Sequence, residues 1–336
     1  MGEQVTIKMV ADHASVSVAT VSYVLSGLRP VSDEKKDRVR ASVSALGYSP
    51  NQIAKSLRTQ HTAMIAIVVP DITNPFYPAI ARSILDDLDE AGFDGIICCS
   101  DGDPEKEARI IEKMVLRRVD GIAVCSYRHD PSTLEAARRA GIPTVFLGNA
   151  GAADGDSVVL DSVGGSQAAT EHLLALGHRS IVFLTGTSDT DATADRLRGY
   201  ETAVHGSIEE LSTRIIRTSI SQEGGREGVR QILGSGNLPD AIVCANDQMA
   251  ISAMSELTRA GIRVPQDISV VGFDDIEAAA VVTPSLTTVS NPAPKIGAAM
   301  AETLLGRIDG SVTGGPRRIE LAVTLMQRDS TRRTTG

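Results

Sequence analysis

From residue 63 onward, short apolar runs alternate with amphipathic stretches, and this alternation constrains the fold more than any other feature of the sequence. Each run is short enough for a strand and apolar enough to be buried on both faces. The runs are Met64–Val69, Gly95–Ser100, Gly121–Ser126 and Pro143–Leu147 in a first series, then Ile181–Thr185, Ala241–Ala245 and Ile268–Phe273 in a second. Several helical stretches between them end at a glycine, which is typical of βαβ units. We therefore predict an α/β body of two doubly wound parallel-sheet lobes.

The first 49 residues follow a different pattern, which predicts a small all-α head. Apolar residues at helical spacing begin at Ile7, a second helix is expected from Ser17 to Leu25, and a third from a cap at Ser32 to Gly47. A tight break joins the first two helices, so the pattern predicts a helix-turn-helix, whose second helix enters the DNA major groove. A helical hairpin that binds protein is the alternative.

Charge is divided unevenly along the chain. Residues 1–61 contain eight Lys/Arg and five Asp/Glu, a net charge of +3, whereas the rest of the chain carries −12. A basic head on an acidic body indicates that a polyanion is contacted through the head alone. Chance is the competing explanation of so small an excess.

The expected DNA contacts lie on the second helix and beside it. Val18 and Ala19 can make only apolar contacts in the major groove, and Tyr23 can stack or donate a hydrogen bond there. Short hydroxyl side chains suit phosphate oxygens. They are Thr6, Ser17, Thr20, Ser22 and Ser26.

Residues 50–61 separate the head from the body and predict a short hinge helix. Ser49 and Pro50 open a helix that is too short to persist alone in water. Leu57 between cationic neighbours fits an apolar wedge in a minor groove, and packing of Leu57 on the head is the alternative. The residues assigned to this contact are Asn51, Ala54, Lys55, Leu57 and Arg58.

Polar and aromatic residues follow most of the predicted strands. Ligands bind outside the carboxyl ends of parallel strands, and carboxylates, amides and an arginine suit the hydroxyl groups of a sugar. A turn or helix-cap role is the alternative for each residue alone. The residues are Asp71, Asn74, Phe76, Tyr77, Asp101, Tyr127 and Asn149 in the first series, and Asp189, Asp191, Arg196, Asn246, Asp247, Asp274 and Asp275 in the second.

Motifs for catalysis, cofactors and metals are absent from the sequence. It has no Gly-x-Gly-x-x-Gly, Gly-x-x-x-x-Gly-Lys-[Ser/Thr], Gly-x-Ser-x-Gly or His-Glu-x-x-His, so we expect no enzyme, no cofactor and no metal. No apolar stretch approaches the roughly 18 residues of a membrane span, so no membrane partner is expected. Cys98, Cys99, Cys125 and Cys244 lie in apolar runs and are expected to be buried free thiols of a cytoplasmic protein.

Nine stretches of the chain resemble the LacI/GalR family of transcription regulators. They are VATVSYVLSG at 18–27, LGYSPN at 46–51, AKSL at 54–57, VPDITNPF at 69–76, RLRGY at 196–200, ANDQMA at 245–250, ISVVGFDD at 268–275, PSLTTV at 284–289 and QRDS at 327–330. Ordered matches through the head, the hinge and both lobes are more specific than any one motif.

The resemblance implies a head at 1–49, a hinge helix at 50–61 and a body at 62–336 like that of periplasmic sugar-binding proteins. The lobes would exchange strands, the first being 62–161 plus 291–322 and the second 162–290 plus 323–336. It also implies a homodimer on a pseudo-palindromic operator. By position, Arg196, Asn246 and Asp274 match residues that hold the effector in family members, and Asn74, Phe76 and Asn149 would face them from the other lobe.

These expectations describe a repressor whose operator affinity is controlled by a small ligand, a sugar, bound between the lobes. A purine or nucleoside effector, an activating or corepressor-dependent mode, and a cytoplasmic sugar-binding protein without DNA remain open. Three positions depart from the family pattern, and Met9 is one of them, since an acidic residue is common there. Ser15 stands where glycine is common, which predicts a non-glycine residue in a left-handed turn, and Tyr23 stands where some members have arginine.

Overall fold

The computed structural model describes residues 5–27, 29–49, 61–126, 134–148, 155–187, 192–207 and 210–334. The chain divides into two compact units, Met1–Thr62 and Ala63–Gly336. The described part of the first unit is helical, and the second unit is built from two β-sheets with helices on their faces.

The head contains helices α1 (Ile7–His13), α2 (Val18–Ser26) and α3 (Asp33–Leu46). Hydroxyl groups cap the first two helices, with Thr6 accepting from the Met9 N–H at 3.4 Å and Ser17, the predicted cap, accepting from the Thr20 N–H at 3.1 Å. Ser32 lies at the predicted N-cap position of α3, but its side chain makes no capping hydrogen bond there. A small apolar core joins the three helices, with Val10, Ala11, Ala14, Val21 and Val39 fully buried.

The turn between α1 and α2 is held from outside by an arginine of α3. Ser15 lies in the left-handed region at φ 50°, which confirms the expected non-glycine residue there. The Arg38 guanidinium donates to the carbonyl oxygens of Ala14, at 3.0 Å from Nε, and Ser15, at 2.7 Å from Nη2. These bonds satisfy carbonyls that the end of α1 leaves unpaired.

The first sheet of the body has six strands in the order β11-β5-β4-β3-β1-β2. They are β1 (Met64–Val69), β2 (Asp94–Cys99), β3 (Gly121–Val124), β4 (Thr144–Leu147), β5 (Asp156–Leu160) and β11 (Arg318–Leu321). All the pairings in this sheet are parallel. Its helices are α4 (Phe76–Glu90), α5 (Pro104–Leu116), α6 (Glu135–Arg139) and α12 (Ala293–Asp309), with α4 and α12 on one face and α5 and α6 on the other.

The second sheet also has six strands, in the order β12-β10-β9-β8-β6-β7. They are β6 (Ser180–Thr185), β7 (Ser212–Arg217), β8 (Ala241–Cys244), β9 (Ser269–Asp274), β10 (Thr287–Ser290) and β12 (Thr324–Met326). The helices of this lobe are α7 (Ser162–Ala175), α8 (Ala192–His205), α9 (Gln222–Gly234), α10 (Asp247–Arg259) and α11 (Glu277–Val281). The chain therefore passes from one sheet to the other after β5, after β10 and between β11 and β12.

The predicted α/β class with two doubly wound lobes is confirmed, with two differences. The strands β5, β7, β10, β11 and β12 were not among the predicted runs. In addition, β12 pairs antiparallel with β10, so the second sheet is parallel except at this edge. Three of the missed strands, β7, β11 and β12, lie at sheet edges, where they contain exposed and polar residues and so lack a continuous apolar run.

The cysteines are free, as expected, but only two of them are buried. Cys125 and Cys244 are buried in the cores, and burial raises the pKa of the Cys125 thiol to about 12. Cys98 and Cys99 are half-buried because β2 is an edge strand. Among the residues that the structure describes, no helix has the length and hydropathy of a membrane span.

Candidate functional site

The outer face of α2 carries the three side chains expected in a DNA groove. Val18 is 42% exposed and Ala19 is exposed beside it, whereas Val21 on the opposite face is fully buried. Tyr23 is partly exposed on the same outer face. A single exposed valine is common on protein surfaces, and its place on the outer face of α2 beside Ala19 is compatible with apolar contact in a groove.

The hydroxyl residues have mixed local roles. Thr6 and Ser17 use their oxygens to cap α1 and α2, and the Ser17 and Thr20 hydroxyls lie 2.9 Å apart. A capping hydroxyl still carries a hydrogen that can be donated to a phosphate. Ser22 is partly buried on α2, and the side chain of Ser26 lies outside the described residues.

The hinge contact lies wholly outside the described residues. This concerns Asn51, Ala54, Lys55, Leu57 and Arg58. Their assignment to a minor groove stays a prediction from the sequence.

In the second lobe, a buried ion pair lies at the carboxyl ends of β8 and β9. Arg196 on α8 is 4% exposed and Asp274 at the end of β9 is also 4% exposed. Arg196 Nη2 donates to Asp274 Oδ1 at 2.9 Å, and Nη1 donates to the Ala245 carbonyl at 2.5 Å. The guanidinium also lies 3.9 Å from the centre of the Phe273 ring. Three contacts from three directions hold the arginine in one orientation.

The electrostatics around Asp274 balance burial against hydrogen bonding. Burial raises the pKa of the Asp274 carboxyl, and the opposing effects of Arg196 and of the Asn291 amide only partly offset it. Asp247 is fully buried nearby, where burial and the charge of Asp274 raise its pKa well above the usual value. Asp274 has φ 115° and Asp275 has φ 56°, so the backbone here is also strained.

Asn246 has a structural role that leaves half of its amide available. It is 2% exposed, and its Oδ1 accepts a hydrogen bond of 2.9 Å from the Met249 N–H, which caps α10. The Nδ2 group of such a cap is still a donor. Because Asn246 follows Ala245, whose carbonyl binds Arg196, the structure brings Arg196, Asn246 and Asp274 together at the carboxyl ends of β8 and β9.

The candidates in the first lobe lie after β1 and β2. Asn74 is 6% exposed and accepts from the Phe76 N–H at 3.2 Å, and Phe76 itself is 3% exposed in the core. Asp101 is different, because it is exposed at φ 55° and its carboxylate binds Lys106 and the Cys99 thiol. Asn149 lies outside the described residues, as do Tyr127, Asp189 and Asp191.

Asn291 is a site residue that the sequence reasoning missed. It is 3% exposed, its Nδ2 donates to Asp274 Oδ1 at 2.9 Å, and it lies where the chain crosses from β10 to α12. The rule that ligand residues follow strands would have found it, but β10 itself was not predicted. Within the described chain, Asn291 Oδ1, Gln248 Oε1 and Arg196 Nε are buried polar atoms without a hydrogen-bond partner.

Comparison with known proteins places both units in one family. The family model of bacterial regulatory proteins, lacI family, matches residues 6–51, and that of the periplasmic binding protein-like domain matches residues 170–331. The transcriptional regulator DegA of Bacillus subtilis is 36% identical over 331 residues, 97% of this chain and 98% of that protein. The ribose operon repressor of Escherichia coli is 34% identical over 329 residues, 97% of this chain and 99% of that protein.

Solved structures of similar fold cover most or nearly all of the chain. A lac repressor dimer bound to operator and the anti-inducer ONPF has a TM-score of 0.87 at 27% identity, covering 98% of this chain and all of that one. A LacI family regulator of Enterococcus faecium with bound ribose has a TM-score of 0.75 at 28% identity, covering 81% of this chain and all of that one. The chain therefore belongs to the lacI family of bacterial regulatory proteins, and it is a DNA-binding transcriptional regulator and not an enzyme.

Proposed function

We propose that this regulator is a repressor whose affinity for its operator is set by a sugar bound between the two lobes of the body. The observation that carries the proposal is the buried cluster at the carboxyl ends of β8 and β9. There Arg196 is fixed by Asp274 and the Ala245 carbonyl, and polar atoms of Arg196, Gln248 and Asn291 lie buried without partners.

A sugar matches this cluster chemically. A buried polar atom without a partner costs free energy, and each hydroxyl group of a sugar can both donate and accept. Arg196 Nε is a donor, whereas Gln248 Oε1 and Asn291 Oδ1 are acceptors. We assign the ligand contacts to Arg196, Asn246 and Asp274 in one lobe and to Asn74, Phe76, Asp101 and Asn149 in the other.

A purine or nucleoside is less well supported. Stacking on a base needs an exposed aromatic face, and two aromatic rings near the strand ends, Phe76 and Phe273, do not offer one. Phe76 is 3% exposed in the core, and the face of Phe273 is covered by Arg196 at 3.9 Å. Two of the compared proteins support a sugar, because one is a ribose operon repressor and one solved structure holds ribose.

The angle between the two lobes would control DNA binding. The solved relative is a dimer on its operator, and we propose the same homodimer here on a pseudo-palindromic site. Residues 1–49 would read the operator, residues 50–61 would form the hinge, and residues 62–336 would bind the ligand and dimerise. The ligand can shift this equilibrium only by binding one lobe angle better than the other.

The DNA contacts in this proposal are those of the outer face of α2 and of the hinge. Val18, Ala19 and Tyr23 lie in the major groove, and Leu57 opens the minor groove at the centre of the operator. The phosphate contacts come from Thr6, Ser17, Thr20, Ser22 and Ser26. Since a regulator works where the chromosome is, we place the protein in the cytoplasm.

Ligand titration of a charge-conserving variant tests the proposal. A lysine at position 196 keeps the positive charge beside Asp274 but lacks the planar fork that binds several oxygens at once. Arg196→Lys should therefore lose the thermal stabilisation that a pentose or hexose gives the wild type, which is about 2.7 kcal/mol at 100 times the dissociation constant. Ribose is the first sugar to try.

Arg198 provides the matched control on the same helix. It is exposed and pairs with Asp195 at the surface, so Arg198→Lys should bind the sugar as the wild type does. If Arg196→Lys bound the sugar normally, or if both variants lost it, Arg196 would not be a ligand residue.

A further inference from the structure

An arginine beyond the end of α2 lies against the tyrosine of its DNA-facing surface. The Arg29 guanidinium carbon is 5.2 Å from the centre of the Tyr23 ring, within the roughly 6 Å at which a cation is attracted to an aromatic face. Arg29 is exposed and Tyr23 is partly exposed. The two side chains therefore form one surface feature at the end of the helix that enters the groove.

The backbone on both sides of Arg29 favours this position. Gly27 ends α2 in the left-handed conformation at φ 67°, and its N–H bonds back to the Tyr23 carbonyl. Pro30 follows Arg29 and restricts it to extended conformations. Because Pro30 narrows the backbone conformations open to Arg29 before binding, less freedom is lost when Arg29 meets a ligand.

The charge of Arg29 is also available. Arg29 makes no ion pair with any residue that the structure describes, whereas Lys36 pairs with Asp33 and the Arg38 guanidinium is used to hold the turn at Ala14 and Ser15. Contact with a ring uses one face of a guanidinium and leaves its N–H edges free. Those edges match the O6 and N7 acceptors of guanine in the major groove.

We propose that Arg29 is a further sequence-reading residue of the head, one that takes a guanine in each half-site, and that Tyr23 is the positioning residue that holds it. This inference rests on the head binding an operator through α2. It changes the role of Tyr23, which then contributes its ring rather than its hydroxyl group. Specificity at one base pair comes from an arginine outside the recognition helix.

Four variants of the full-length protein separate the ring from the hydroxyl. Tyr23→Phe keeps the ring, Tyr23→Leu removes it, Arg29→Ala removes the cation, and the double variant Tyr23→Leu/Arg29→Ala closes a double-mutant cycle. Each protein selects from a random-sequence duplex library, and its affinity is then measured for the wild-type consensus and for a scrambled duplex. Circular dichroism verifies that the head is folded.

The proposal predicts a specific pattern. Arg29→Ala loses the preference for guanine at one position of each half-site and weakens consensus binding by roughly 5- to 150-fold per half-site. Tyr23→Leu weakens it by about two- to fivefold per half-site, and has no further effect once Arg29 is gone. Tyr23→Phe selects the wild-type consensus with wild-type affinity.

Other outcomes would overturn the proposal. If Arg29→Ala selected the unchanged consensus, Arg29 would read no base. If Tyr23→Phe lost as much operator affinity as Tyr23→Leu, the tyrosine hydroxyl would be the reading group. Equal losses on consensus and scrambled DNA would make Arg29 a phosphate contact only. A wild type that enriched no sequence would instead refute sequence-specific operator binding itself.

Discussion

Replacement of Arg196 by leucine tests how strongly the buried ion pair at the ligand site supports the fold. The substitution removes the hydrogen bonds to Asp274 and to the Ala245 carbonyl, and leaves Asp274, which is 4% exposed, with the Asn291 amide as its side-chain donor. Removal of one partner of a buried pair costs about 3–5 kcal/mol, because the other charge stays buried. We expect Arg196→Leu to lower the free energy of unfolding by this amount at neutral pH.

The loss of unfolding free energy in Arg196→Leu should become smaller as the pH falls. Burial already raises the pKa of Asp274, and Arg196 opposes that rise. In the variant the pKa rises further, so the folded state takes up a proton before the unfolded state does, and acidification restores stability. Urea titrations from about pH 8 to about pH 5 should therefore show the deficit shrinking.

Two further variants make the test decisive. Arg196→Leu combined with Asp274→Asn buries no charge and should recover much of the loss. Arg198→Leu on the same helix breaks an exposed pair with Asp195 and should cost no more than about 1 kcal/mol. A deficit for Arg196→Leu below about 1 kcal/mol, or one that did not change with pH, would refute the reasoning.

Three other variants test separate parts of the structure. Glu107 is buried with its pKa raised to about 7, so Glu107→Gln should stabilise the protein by on the order of 3 kcal/mol near pH 8 and little near pH 5, as measured by urea unfolding. Arg307 pairs through two nitrogens with the buried Asp156, so Arg307→Ala should lower the free energy of unfolding by about 3–5 kcal/mol. Arg38→Ala should weaken binding to operator and scrambled duplexes alike in anisotropy titrations, because it loosens the turn between α1 and α2. A loss of affinity confined to the operator would contradict this.

Strands that are mostly apolar could be predicted from the sequence, including the edge strand β2, and strands that carry several polar residues could not, including the buried strand β5. The run Met64–Val69 was predicted with the bounds that the structure gives it, because it lies inside a sheet and is apolar throughout. β10 also lies inside its sheet, but it was not predicted because its buried residues include Thr287 and Thr288, which are polar. The Thr288 hydroxyl donates to Asp247 Oδ1 at 2.5 Å, although Asp247 is 41 residues away in the chain. The local sequence does not reveal a partner at that distance.

The candidate site was also predicted only in part. Arg196 and Asp274 were singled out by position, but their ion pair joins residues 78 apart in the chain, which no local sequence pattern predicts. Asn291 was missed because β10 was missed. Asp101 was chosen by the same strand-end rule, and the structure engages its carboxylate with Lys106, so its contact with a ligand stays a prediction.

Operator release by a ligand is the measurement that tests the central claim most directly. A labelled duplex carrying the selected consensus is bound by the wild type and by Arg196→Lys, and each complex is titrated with the sugar that stabilises the wild type. We predict that the sugar changes the operator affinity of the wild type by about 5- to 150-fold and that of Arg196→Lys by nothing measurable. A sugar that saturates the wild-type protein while its operator affinity stays constant would contradict the account.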